Sequence, residues 1–342
     1  MTDAREDGKA AAVGVERDLV YLEAGRAERL DLYRPGVRAG LLPAVVVLHG
    51  GGWQGGDKAD GRERGVATEL AGAGYACASV NYRLAAPDRS AWPGCLHDCK
   101  NAVRFLRSRA AQYGIDPERI GVIGFSAGAH LAAMTALTPG AARLEPVAPY
   151  PDVSSRVQAA VLMYGVYDFE TWQPVEADGT PHVFLRSLAG SLVGGSLAEA
   201  PELWREASPV RHVRAGGPPL LLIHGTEDDA VDPGQTAELA AELAAAGAPH
   251  EVHIVQGAGH SFDFHPPGAV SVHGVRLSVL GFRRSFRPPA ALPPCGATSC
   301  ADAAGVRTRE DRTPNTDNRE RLPGADLAPR VIRFFDAHLK GR

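Results

Sequence analysis

Short apolar runs alternate along this chain with amphipathic stretches of helical spacing. Ala44–Leu48 (AVVVL) has no polar break, the pattern of a strand covered on both faces. Tyr75–Val80, Ile120–Ile123, Val157–Met163, Leu220–Ile223 and Val252–Val255 read as further strands. Asp18–Glu23 and Glu28–Tyr33, parted by a turn at Gly25, predict two edge strands. Between the strands, helices are predicted over Arg62–Ala73, Gly94–Tyr113, Ser126–Leu137, Thr236–Ala246 and Val331–Leu339. Strand and helix in alternation imply parallel pairing with right-handed crossovers. The predicted fold is therefore α/β, a mainly parallel sheet with helices on both faces.

Two stretches interrupt the alternation. Residues 139–156 and 167–209 are rich in proline and glycine and carry Trp172, Phe184 and Trp204, which predicts a small cap over the sheet edge. Residues 274–323 are long and without periodicity, which predicts a disordered insertion within one domain spanning 1–342.

Composition narrows the function classes. The chain has 342 residues, 44% of them hydrophobic, enough for a sizeable core. The net charge of −4 is spread over both signs, which points away from nucleic acid and anionic membranes. The polar N-terminus lacks the basic start and apolar core of a signal peptide, and no run has the length of a membrane span. Cytoplasmic location is the resulting expectation, with no integral membrane association. Of the cysteines, Cys77, Cys95 and Cys99 are expected as reduced core or boundary residues, while Cys295 and Cys300 lie in the 274–323 segment. Neither cysteine nor histidine spacing suggests a metal site, and no cofactor motif is seen.

The sharpest chemical signal is at the end of the Ile120–Ile123 run. Gly124-Phe125-Ser126-Ala127-Gly128 matches G-x-S-x-G, with a strand before it and a helix after it. Glycines permit a sharp turn that holds the Ser126 hydroxyl out at a helix N-terminus, where negative charge is favoured. A plain tight turn would use the same small residues. A serine nucleophile needs a base, and the base needs an orienting acid. Both follow in the chain, each after a predicted strand. Glu227, Asp228, Asp229 and Asp232 cluster after Leu220–Ile223. Asp232, just before Pro233, suits a helix cap, and Asp228 is the candidate acid. His260 follows the last strand and a glycine turn and is the candidate base, with His250, His253 and His265 as competitors. His49-Gly50-Gly51-Gly52 follows the AVVVL strand and lacks the Lys-Ser/Thr ending of a phosphate loop. It is an HGGG loop, whose backbone N–H groups can form an oxyanion hole. The candidate donors are Gly51, Gly52 and Ala127, with Trp53 as the alternate, and His49 is expected to brace the loop.

These motifs, in this order, resemble the α/β-hydrolases of the esterase/lipase group that carry HGGGW and GxSAGxHLA. Within that group the chain is similar to the feruloyl- and acetylxylan-esterase-like (BD-FAE-type) hydrolases. LDLYRP, HGGGWQGGDK, SVNYRLA, YGIDPERIGVIGFSAGAHLAAM, LLLIHGTEDDAVDP, GAGHSF and VIRFFDAHL carry the resemblance, over about residues 16–265 and 326–340. It implies an α/β-hydrolase fold, the triad Ser126, Asp228 and His260, and an HGGGW oxyanion loop. It also implies a final helix close behind the His260 loop, whereas here residues 274–323 intervene.

The implied activity is hydrolysis of small acyl or aryl esters, with acetylated or feruloylated carbohydrate among the candidates. The same triad serves arylformamidases and serine peptidases. A non-catalytic binding module of this fold normally lacks a triad residue, and none is missing here. Trp53, Tyr82, Phe125 and Tyr164 are the candidate substrate contacts, with a structural role as the first reading of Tyr82 and Arg83; Asp98 is read as a helix or loop brace, and Asp168 as the cap of a turn with substrate contact as the alternative. The expected partner is a small-molecule ester, with oligomeric state left open.

Overall fold

The computed structural model describes residues 12–37, 40–86, 88–176, 178–262 and 327–341. The expected disordered insertion 274–323, Cys295, Cys300 and His265 lie outside the described residues. The central strand is β3 (Leu42–Leu48), buried along its whole length. Its side chains alternate between two cores. Val46 and Leu48 join one, and Val45 and Val47 join the other. A strand flanked by two cores must be apolar at every position, which is why it reads as an unbroken run.

Around it lie β1 (Val13–Leu19), β2 (Leu30–Pro35), β4 (Ala76–Val80), β5 (Ile115–Phe125), β6 (Ala159–Met163), β7 (Leu220–Gly225) and β8 (His250–Val255). The sheet order is β1-β2-β4-β3-β5-β6-β7-β8. β1 and β2 pair antiparallel, as do β2 and β4, and every pairing from β4 through β3 to β8 is parallel.

Helices cover both faces. On one side α1 (Gly61–Gly72) and α8 (Leu327–Phe335) pack on Val45, Val47, Ile123 and Val161. On the other lie α2 (Gly94–Ser108), α3 (Ala110–Tyr113), α4 (Ala127–Leu137) and α7 (Gly234–Ala245), against Val46, Val122, Leu162 and Leu222. α4 is buried on every side, so its alanines allow close approach to the sheet. α8 locks onto β5 through Gly121, where an added Cβ would stand 2.9 Å from Phe335 Cε1 and 3.0 Å from Leu339 Cδ1.

Some boundaries differ from the sequence expectation. The first strand is Val13–Leu19 rather than 18–23. Most of its side chains face solvent, so it has no apolar run. Tyr21 is buried for another reason, its hydroxyl donating to the Asn81 carbonyl at 2.6 Å. β5 begins at Ile115, and the expected turn at Asp116–Glu118 is a bulge where its register with β3 shifts. The helix expected over 94–113 breaks at Arg109 into α2 and α3. The closing helix is already formed at Leu327, before the expected Val331, and ends in a π turn, Asp336–Lys340.

The two cap-like segments part company. Residues 139–156 are strapped to α2, where Lys100 Nζ donates to Glu145 Oε1 and Asn101 Nδ2 to the Ala148 carbonyl. Arg104 meets both Glu145 and the Pro146 carbonyl. Residues 167–209 contain α5 (Val183–Val193) and α6 (Pro201–Ala207). Trp172 and Phe169 pack edge-on against Trp53, so this segment covers the loop after β3.

Candidate active site

The loops at the carboxyl ends of β3, β5, β7 and β8 share one rim of the sheet, where ligands of such sheets bind. At the end of β5 the chain turns at Ser126 with φ 52° and ψ −117°, a left-handed backbone that costs a non-glycine residue about 1–3 kcal/mol. Glycine at 124 and 128 makes the turn possible. A Cβ on Gly124 would lie 2.1 Å from the Gly128 carbonyl oxygen. One on Gly128 would lie 2.3 Å from Leu48 O and 2.4 Å from His49 O. The strand end and the first turn of α4 therefore pack backbone to backbone, with Ser126 half-exposed on the rim.

The loops after β7 and β8 are tied together. Thr226 N–H donates to Val255 O at 3.0 Å, Glu227 N–H to Ala258 O at 2.9 Å, and Gly257 N–H to Thr226 Oγ1 at 2.8 Å. Asp228 and His260 are held face to face as a result. His260 Nδ1 lies 2.7 Å from Asp228 Oδ2, and His260 Nε2 lies 3.0 Å from Ser126 Oγ. Three side chains distant in sequence thus form one hydrogen-bonded line. Asp228 Oδ1 accepts from the N–H groups of Ala230 at 3.0 Å and Val231 at 2.8 Å. Burial alone would push the Asp228 carboxyl up. Hydrogen bonds from His224 and His260, the charge of His260 and the Val231 N–H outweigh it, holding the acid well below the ordinary carboxylate range. Glu227 and Asp229 are exposed, and Asp232 Oδ1 accepts Gly234 N–H in the turn before α7. His250 bonds the Ala248 carbonyl, and His253 lies within β8, so neither competes with His260.

The HGGG loop folds over the serine. An added Cβ on Gly50 would stand 3.5 Å from Ser126 Cβ. Gly51 has φ 111°, and its carbonyl accepts from Gln54 and Gly55 N–H. Among the described residues, the backbone N–H groups of Gly51, Gly52, Trp53 and Ala127 donate to no protein acceptor. His49 braces the loop. Its Nδ1 lies 2.7 Å from Gly50 O, and its ring stacks on Tyr82 at 4.2 Å. Burial pushes its imidazole below the ordinary value, so the brace is neutral.

The four expected substrate contacts, Trp53, Tyr82, Phe125 and Tyr164, are all buried. Tyr82 donates its hydroxyl to His49 O at 2.8 Å, and Phe125 packs beneath the Arg62 guanidinium, so both support the loop from behind. Tyr164 meets the His260 ring edge-on at 5.0 Å and helps set its plane. Trp53 Nε1–H donates to His130 Nδ1 at 3.1 Å, anchoring the HGGGW loop to α4. Asp98 braces Arg26 and Arg83 as expected, and Asp168 caps its turn by accepting the Glu170 N–H while it pairs with Arg211.

Sequence reasoning missed two buried histidines. His130, the histidine of GxSAGxH, links Trp53 to the Ala207 carbonyl, 2.7 Å from its Nε2. His224 contacts the acid itself. The available signals were a polar ring within the otherwise apolar α4 and another closing the LLLI run of β7.

This arrangement can pass a proton from Ser126 Oγ to His260 Nε2 while backbone N–H groups face an oxyanion. The chain matches the BD-FAE family model over residues 30–243. It is 36% identical over 216 residues to the probable carboxylic ester hydrolase LipM of Mycobacterium tuberculosis, covering 63% of this chain and 48% of that one. The match thus spans about half the length of that curated relative. A truncated carbohydrate esterase from gut microbiota superposes with a TM-score of 0.66 at 26% identity, over 74% of this chain and 90% of that chain. A thermophilic esterase from Thermogutta terrifontis, solved with propionate bound, gives 0.56 at 30% identity, over 74% and 86%.

Proposed function

Because this chain belongs to the BD-FAE family, we propose that it is a serine-dependent carboxylic ester hydrolase. The observation that carries this reading is the unbroken hydrogen-bonded line from Asp228 through His260 to Ser126. Ser126 Oγ attacks the ester carbonyl carbon as His260 Nε2 takes its proton. Asp228 holds the imidazole in the Nδ1–H tautomer and stabilises its positive charge. The carbonyl oxygen becomes an oxyanion and meets N–H donors from Gly51, Gly52 and Ala127, with the α4 N-terminus adding positive potential. His260 then protonates the leaving alcohol, and an acyl group remains on Ser126. Water, deprotonated by the same imidazole, attacks the acyl-enzyme, and His260 returns that proton to Ser126 Oγ as the acyl–oxygen bond breaks and the acid leaves.

For substrate we propose small acyl or aryl esters, acetylated or feruloylated carbohydrate included. The superposition on a protein named as a carbohydrate esterase supports that choice. A panel of acetyl, butyryl and feruloyl esters beside N-formylkynurenine and a peptide amide tests the reading. Turnover of the esters is expected. Turnover confined to the formamide or the peptide would overturn it.

A further inference from the structure

Resting on that reading, we propose that His224 is a positioning residue that fixes the catalytic carboxylate by donating its Nε2–H to Asp228 Oδ2. His224 lies in β7, four residues before Asp228, and is fully buried. Its Nε2 stands 3.1 Å from Asp228 Oδ2 and 2.9 Å from the Val231 carbonyl. Two acceptors around one nitrogen require the proton there. Its Nδ1 stands 2.7 Å from Thr236 Oγ1, whose hydroxyl then donates to the ring. The tautomer is thus set from α7, on the far side of the ring from the carboxylate.

The consequence falls on the working oxygen. Asp228 Oδ2 is the atom that holds His260, and His224 is its second donor. Oδ1 is held separately by the Ala230 and Val231 N–H groups. With donors on both oxygens the carboxylate cannot swing in its plane. The second imidazole also draws charge away from the bond to His260. Among the described residues, the ionisable groups around this carboxylate are His224 from β7 and His260 after β8, with Tyr164 after β6 meeting the His260 ring. Glu227 and Asp229, in the same loop, are exposed. A histidine serving only as core packing would need its partners but not this particular oxygen.

The test compares His224→Gln, whose side-chain amide reaches as far as Nε2, with His224→Leu, which has no donor, and His224→Asn, whose amide falls short. Circular dichroism and thermal melting establish folding. Should the Leu variant fail to fold, the Gln and Asn pair carries the same contrast. Without the donor, kcat is expected to fall about tenfold or more, the worth of one hydrogen bond to a charged group, with little change in KM. The acid limb of kcat/KM should move to higher pH, because Asp228 then holds more charge against His260. The Gln variant should recover both kcat and the limb. Equal impairment of Gln, Leu and Asn with an unmoved limb would overturn the proposal, as would wild-type behaviour in all three. Failure of the wild-type enzyme to hydrolyse esters would instead overturn the functional reading on which it rests.

Discussion

Gly128→Ala puts the geometry of the oxyanion hole under direct strain. The new methyl would lie 2.3 Å from Leu48 O and 2.4 Å from His49 O, both backbone atoms at the end of β3 and the start of the HGGG loop. A close carbon–oxygen contact needs about 3.3 Å, so α4 and that loop must separate by roughly 1 Å. Ser126 and Ala127 travel with α4, while Gly51 and Gly52 travel with the loop. The donors therefore stop converging on one point. Loss of one such donor costs about 10²–10³ in kcat, and a 1 Å misplacement costs about as much. Overpacking adds about 1–3 kcal/mol of instability. KM should change little, because these donors act mainly on the transition state. Gly65→Ala on α1 is the control, since its Cβ would meet nothing within 4 Å and should be stabilising or neutral. The assay is steady-state hydrolysis of an aryl acetate, with urea unfolding of both variants. A Gly128→Ala enzyme that is destabilised yet keeps kcat within about threefold, a loss far below that of one donor, would refute the reasoning.

Asp228→Asn should lower kcat by about 10⁴ with folding intact, because the amide stabilises the wrong imidazole tautomer; a loss below tenfold in the pH-optimal rate would contradict the role given to Asp228. Burial holds His130 neutral, at about 4 against 6.5 for a free imidazole. The unfolded chain then binds the extra proton between those values. The resulting stability, of order 3 kcal/mol, is complete above pH 6.5 and lost as pH falls toward 4. Urea unfolding across that window should show a shallower pH slope in His130→Gln than in wild type, and equal slopes would dispose of the idea. Phe335→Ala empties a fully buried site against Gly121 and should cost about 3–5 kcal/mol. A cost under about 1 kcal/mol by the same method would show that α8 is not part of the cooperative fold.

The sequence made the parallel strands legible because burial on both faces leaves β3 and β6 no room for a polar residue. It made the reactive line legible for a related reason: strand–turn–helix junctions demand glycine, and each chemical group stands just beyond an apolar run. β1 was harder, because a largely exposed edge strand has no such run. The bulge at Asp116–Glu118 resembles a turn because its local chemistry is that of a turn, Asp116 Oδ1 accepting the Glu118 N–H. Only the register with β3 shows that the strand continues. The roles of His130 and His224 depend on Trp53, Ala207, Val231 and Thr236, neighbours that only tertiary structure supplies. Tyr82 and Phe125 look like pocket residues from their place beside the motifs, yet the fold turns both rings inward.

In the mechanism proposed above, Ser126 carries the acyl group during turnover. Rapid-quench mass spectrometry with a slowly deacylated aryl ester detects that group. A single acyl adduct is expected on the peptide containing Ser126, formed at the rate of the product burst and absent in Ser126→Ala. Steady turnover by Ser126→Ala, or an adduct that forms at burst rate on another residue, would contradict it.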